Sequence, residues 1–172
     1  ILLFLQDRTK NLLKEKGVKS DIIDSLISSH RGDNFLSLYQ KGLILNKHHK
    51  TDDYRNMISS FKRASNILDQ ETTKDKKLIG QPDSVLFKTI EEKDLFEKIN
   101  EIRKYFSVKS KKENYDETIK YLSSTVEVTN NFFENVIVND ENTDIKENRL
   151  ELLKMFCQTF NIFLDFSKLE GV

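Results

Sequence analysis

One proline and five glycines in 172 residues leave very few places where the chain can break or reverse sharply. Proline and glycine interrupt regular elements, so their scarcity favours long helices over a strand-and-turn architecture. No Asn-Gly or Asp-Gly hairpin pair occurs, and the one run resembling a strand, "VIVND" at 136–140, directly follows a helical pattern. The expectation is an all-α fold, a helical bundle of about six to seven helices. The length suits one domain able to bury its own core.

Apolar spacing places the helices. The first runs from about Ile1 to Lys16, with Gly17 as its stop. Ser20 and Asp21 open a second, with Ile22, Ile23, Leu26 and Ile27 as its apolar face. Asp33 is positioned to cap a third, carrying Phe35, Leu38, Tyr39 and Leu43 and weakened by Gly42. A fourth, capped by Asp52 or Asp53, carries Tyr54, Met57, Ile58, Phe61, Ala64, Ser65 and Leu68 within one arc centred on Phe61. Residues 69–84 read as a polar, lysine-rich loop. A fifth helix begins near Val85 or Glu91 and ends near Phe106. A sixth spans about Tyr115 to Val136 along a heptad-like seam, and a last one runs from about Ile145 to Phe166. No internal repeat or flexible linker divides the chain, so residues 1–172 read as one domain. Residues 1–50 could belong to that bundle or to its junction with a preceding domain.

Several function classes lack their residues. There is no Gly-rich phosphate cradle and no nucleophile with a base at motif spacing, so no catalytic centre is expected. Cys157 is alone and lies on the apolar side of its helix. His30, His48 and His49 have no partner at ligand spacing, so no metal is expected. The opening "ILLFLQDR" has no methionine and an apolar run of five residues, too short for a signal or a membrane span. It reads as a piece of a longer, cytoplasmic protein with no membrane contact.

Net charge is zero, with 28 cations and 28 anions, so no global field draws in nucleic acid. The distribution is uneven. Residues 41–77 hold nine Lys and Arg against five Asp and Glu, whereas residues 121–172 hold four against nine. Any RNA contact must come from a local basic face. On the fourth helix Arg55, Ser59, Lys62, Arg63 and Asn66 fall on the arc opposite the apolar one, and so form a face of their own.

Three segments carry a more specific signal: "FKRASNIL" (61–68), "FFENVIVNDENTDIKENRLELL" (132–153) and "FLDFSKLEG" (163–171). With "PDSVLF" (82–87) and "YDETIKYLSSTVEVTNNFFENV" (115–136) between them, the chain from about Asp52 onward resembles the C-terminal part of the bacterial glycyl-tRNA synthetase β subunit. The first 50 residues resemble it more weakly, through "FLQDR" and "DIIDSL". The resemblance implies a helical anticodon-binding domain, like that of arginyl-tRNA synthetase, named for an Asp-Ala-Leu-Arg word. It further implies a holoenzyme of two α and two β chains that charges tRNA-Gly using ATP and Mg. The adenylate chemistry would reside in the α subunit. This chain would grip the anticodon arm and read the two cytosines shared by glycine anticodons. Rival readings are the corresponding domain of another synthetase, such as arginyl, and a protein-interaction or assembly module with no RNA role.

Single-stranded bases are read by stacking and by hydrogen bonds to their edges, while Lys and Arg hold phosphates. Arg55, Lys62, Arg63 and Asn66 offer that chemistry, although a solvated polar face would look the same. Asn66 could instead tie a neighbouring loop. On the last helix, Lys146, Asn148 and Arg149 are the further candidates. The family's usual Leu-Arg before its Asn-Arg-Leu word is here Ile145-Lys146, followed by Glu147. Lysine keeps the charge but loses the bidentate fork. Asn148 could face RNA or cap a loop. Arg149 projects inside the apolar arc, which favours an internal ion pair, with Asp140 or Glu134, over an RNA contact. Phe133 lies on its helix's seam, and Phe132 reads as a second packing contact more than as a stacking platform.

Overall fold

The computed structural model describes residues 2–29, 34–71, 78, 80–108 and 114–170. They contain eight α-helices: α1 (Leu2–Glu15), α2 (Ser20–Ser29), α3 (Phe35–His48), α4 (Asp52–Glu71), α5 (Ile90–Val108), α6 (Tyr115–Ser123), α7 (Val126–Asn135) and α8 (Thr143–Phe160). Two short 3-10 turns, Ser84–Leu86 and Phe166–Lys168, complete the regular structure, and no strand is present among the described residues. The all-α expectation holds.

The ends of the helices follow local chemistry. Gly17 has φ +72, its N–H donates to the Lys14 carbonyl, and the Val18 N–H reaches back to Leu13. That pair of bonds is the Schellman stop, and buried Leu13 and Val18 supply its apolar contact. Asn34 caps α3 by accepting from the Ser37 N–H at 3.0 Å, while Asp33 lies outside the described residues. At α4 the capping hydroxyl belongs to Thr51, which accepts from the Tyr54 N–H, and not to Asp52 or Asp53. Those two acids instead occupy the first turn, where they complement the helix dipole. Gly42 sits where α3 approaches α1: a Cβ there would come within 2.7 Å of Leu13 Cδ2.

Three boundaries differ from the sequence expectations. The sixth helix is broken into α6 and α7, because the hydroxyls of Ser124 and Thr125 donate to the Tyr121 and Leu122 carbonyls, which disrupts the regular ladder. α4 continues through Glu71 where a loop from 69 was expected. The last helix stops at Phe160 instead of Phe166, and the chain turns so that Asn161 Oδ1 accepts from the Phe166 N–H.

α4 is the central helix, packed along α8 and against α6, α7 and the C-terminal turn. Tyr54, Met57, Ile58, Phe61 and Ala64 of its inner face are buried, as spaced. Phe61 lies 5.9 Å from Phe160 and 5.4 Å from Phe166, ring centre to ring centre, and Phe156 extends this aromatic core. α2 reaches the chain's end, with Ser25 Oγ donating to the Asp165 carbonyl and Asp21 accepting from the Glu170 N–H. Cys157 is buried, and burial pushes its thiol up to about 12.

Candidate nucleic-acid interface

The inner face of α4 is committed to the core, which turns Arg55, Ser59, Lys62, Arg63 and Asn66 outward together. Their environments differ. Arg55 is engaged at its own helix start, donating to Asp52 Oδ1 at 3.1 Å and to the Lys50 carbonyl at 2.9 Å. Lys62 is half-buried and Asn66 exposed, and neither has a hydrogen bond or ion pair among the described residues. Arg63 meets no carboxylate there. Its guanidinium carbon lies 4.4 Å from the centre of the Phe133 ring, and Nη2 donates to the Phe133 carbonyl at 3.4 Å. Positions 62, 63 and 66 share adjacent turns, so the three side chains emerge side by side.

The three candidates on α8 are held by protein groups. Lys146 pairs with Glu71 at 2.6 Å, joining the start of α8 to the end of α4. Asn148 is buried and clamps the loop ahead of α5: its Oδ1 accepts from the Asp83 N–H at 2.6 Å, and its amide donates to the Asp83 carbonyl at 3.0 Å. Arg149, 5% exposed, donates from Nε to Glu92 at 2.8 Å and from Nη1 to Asp140 at 2.7 Å and the Ile137 carbonyl at 2.8 Å. Asp140 was one of the two partners the spacing favoured. Glu134 is exposed, and Glu92 is the other carboxylate found on Arg149.

Glu92 was missed from the sequence, although a signal was there. Thr89-Ile90-Glu91-Glu92 is a capping box: Glu92 Oε2 accepts from the Thr89 and Lys88 N–H groups, and Thr89 Oγ1 accepts from the Glu92 N–H. The same carboxylate thus starts α5 and neutralises Arg149, with no solvent exposure of its own. Burial alone would raise its pKa, but the Arg149 hydrogen bond and the two backbone donors outweigh burial and hold it below the usual carboxylate range. Asp140 is held low as well, by the Asn142 N–H and then by Arg149.

Phe132 and Phe133 are both buried, as the spacing indicated. The role of Phe133 as a floor beneath Arg63 was not foreseen, since it depends on how α4 and α7 cross. Lys74, Lys76 and Lys77, and residues 109–113 of the "KSKKEN" cluster, lie outside the described residues. Among the described residues no group of three or more His, Cys, Asp and Glu side chains could hold a metal ion, and no helix is long and apolar enough to cross a membrane.

The family model of the DALR anticodon binding domain matches residues 57–169, from within α4 to the last buried leucine of the C-terminal turn. Among curated proteins, the chain is 33% identical over 171 residues to the glycine–tRNA ligase β subunit of a Sulfurihydrogenibium species. It is 31% identical over 172 residues to that of Dinoroseobacter shibae and 30% identical over 172 to that of Paracoccus denitrificans. Each alignment covers 99% of this chain, which spans about a quarter of the relatives' length (24%, 24% and 25%). The matched region holds most of α4 and all of α5 to α8, and the chain belongs to the DALR anticodon-binding domain family.

Proposed function

We propose that this chain recognises the anticodon arm of tRNA-Gly as part of a glycine–tRNA ligase β subunit, through the outer face of α4. The observation that carries this is the group Lys62, Arg63 and Asn66, which opens to solvent with no carboxylate engaged among the described residues. A lysine and an arginine can hold phosphates, and an asparagine amide offers a base edge both a donor and an acceptor. Arg55, Lys146, Asn148 and Arg149 then support this face: they start α4, tie α8 to it and fix the loop before α5. The ligase would use ATP and Mg on its α subunit, in a cytoplasmic assembly of two α and two β chains. Docking the anticodon arm here would orient the acceptor end toward that subunit.

A titration of the chain with tRNA-Gly and with an anticodon-substituted tRNA-Gly, at two salt concentrations, tests the reading. Tighter binding of the native tRNA is expected. Lys62→Ala should weaken both tRNAs and lower the salt slope by about 1, whereas Asn66→Ala should narrow the preference with the slope unchanged. Equal affinity for the two tRNAs in wild type would reduce the face to a phosphate grip and refute anticodon reading by α4.

A further inference from the structure

We propose that Arg63, laid on the Phe133 ring, is a preformed stacking platform for one unpaired nucleobase of the bound anticodon loop. This rests on the anticodon reading above and goes further, assigning one side chain a separate task within it.

A free arginine side chain samples many rotamers, and ordering it on binding costs affinity. Arg63 is already ordered at two points. Its guanidinium lies over Phe133 at 4.4 Å, a cation–π distance, and Nη2 holds the Phe133 carbonyl. That carbonyl belongs to the last turn of α7, where helical geometry supplies no partner and the dipole favours a cation. Both anchors come from a residue that is itself 8% exposed and locked in the core, so the platform is stiff. The guanidinium carbon sits over the Phe133 ring and Arg63 as a residue is exposed, so the proposed platform would offer the side away from Phe133 to a base.

A planar cation with one side backed by an aromatic ring and the other open is the surface on which single-stranded bases stack. An arginine meant only to pair with a surface carboxylate would not need this support. Lys62 and Asn66 flank the platform at adjacent helical positions, placing a phosphate ligand and an edge reader beside a stacked base. Lysine at position 63 would keep the charge but lose the plane, and the two functions can therefore be separated.

The experiment uses the complete ligase with tRNA-Gly and a set of tRNA-Gly molecules, each abasic at one anticodon-loop position. Arg63→Lys and Phe133→Leu should each weaken native tRNA-Gly about tenfold with an unchanged salt slope. That penalty should vanish for one particular abasic tRNA, whose base is the stacked one. Thermal unfolding of Arg63→Lys checks that the fold is intact, and this surface variant carries the test if Phe133→Leu is unstable. Wild-type affinity in Arg63→Lys, or an equal penalty with every abasic tRNA, overturns the platform while leaving anticodon recognition standing. If the wild-type ligase binds all abasic tRNAs as tightly as the native one, the anticodon reading itself fails and the platform with it.

Discussion

Replacing Arg149 by alanine should destabilise the fold severely, by an amount the structure sets. The guanidinium is buried and ties α8 to two other parts of the fold: α5 through Glu92, and the segment between α7 and α8 through Asp140 and the Ile137 carbonyl. Its removal leaves the Glu92 carboxylate, which has no exposure, with only two backbone donors and no compensating charge. Breaking one side of a buried ion pair costs about 3–5 kcal/mol. For a chain of this size that is a fall in melting temperature of roughly 10 °C. Urea unfolding followed by circular dichroism at neutral pH measures it, with Arg149→Met alone and combined with Glu92→Leu as controls. The double variant should be more stable than Arg149→Met, since it removes the stranded charge along with its partner. A loss below about 1 kcal/mol in Arg149→Ala, the range of exposed pairs, would refute the buried network. Reduced tRNA affinity with unchanged stability would refute its internal role and return Arg149 to the RNA face.

Two further outcomes follow from the same contacts. Glu92 has its folded pKa lowered, so its contribution to stability is complete above the unfolded value of about 4.3 and disappears as pH falls through the lower folded value. The gap in urea midpoint between wild type and Glu92→Gln should accordingly be widest near neutrality and narrow on acidification; a gap that widens in acid would show the sign to be wrong. Gly17→Ala should cost about 1–2 kcal/mol through its positive φ alone, because a Cβ there meets nothing within 4 Å, and an unchanged melting temperature would contradict that.

Much of the fold was legible because apolar spacing repeats within each helix. The α4 stripe of Met57, Ile58, Phe61 and Ala64 is a local pattern, and so is the stop at Gly17. The break at Ser124–Thr125 was not, because the stripe from Tyr115 to Val136 keeps a helical period across it while the hydroxyl groups interrupt the ladder beneath. The end of α8 was overrun for a related reason: Phe163, Leu164 and Phe166 remain buried after the backbone has left the helix, so the apolar run outlasts the helical one. The Thr89–Glu92 capping box was legible in principle. It was eclipsed by the apolar residues from Val85 onward, which made an earlier start look equally good.

The candidate site was only half visible for a different physical reason. A helical wheel shows which side chains share a face, but it cannot show what lies opposite them. Arg55, Lys62, Arg63 and Asn66 look equivalent on the outer arc of α4, and Lys146 and Asn148 look equally available on α8. Tertiary contacts separate them: Arg55 closes on Asp52, Lys146 on Glu71, and Asn148 on the Asp83 backbone. A charge already neutralised within the protein must give up that partner to bind phosphate, which cancels much of the gain. Among the described residues Lys62 and Asn66 have no such partner to leave, and Arg63 is ordered on a ring and a carbonyl with no carboxylate on it. The proposed difference in binding competence between otherwise similar polar residues thus lies in the partners they have to leave, and on that criterion the proposed RNA face narrows to three neighbouring positions on α4.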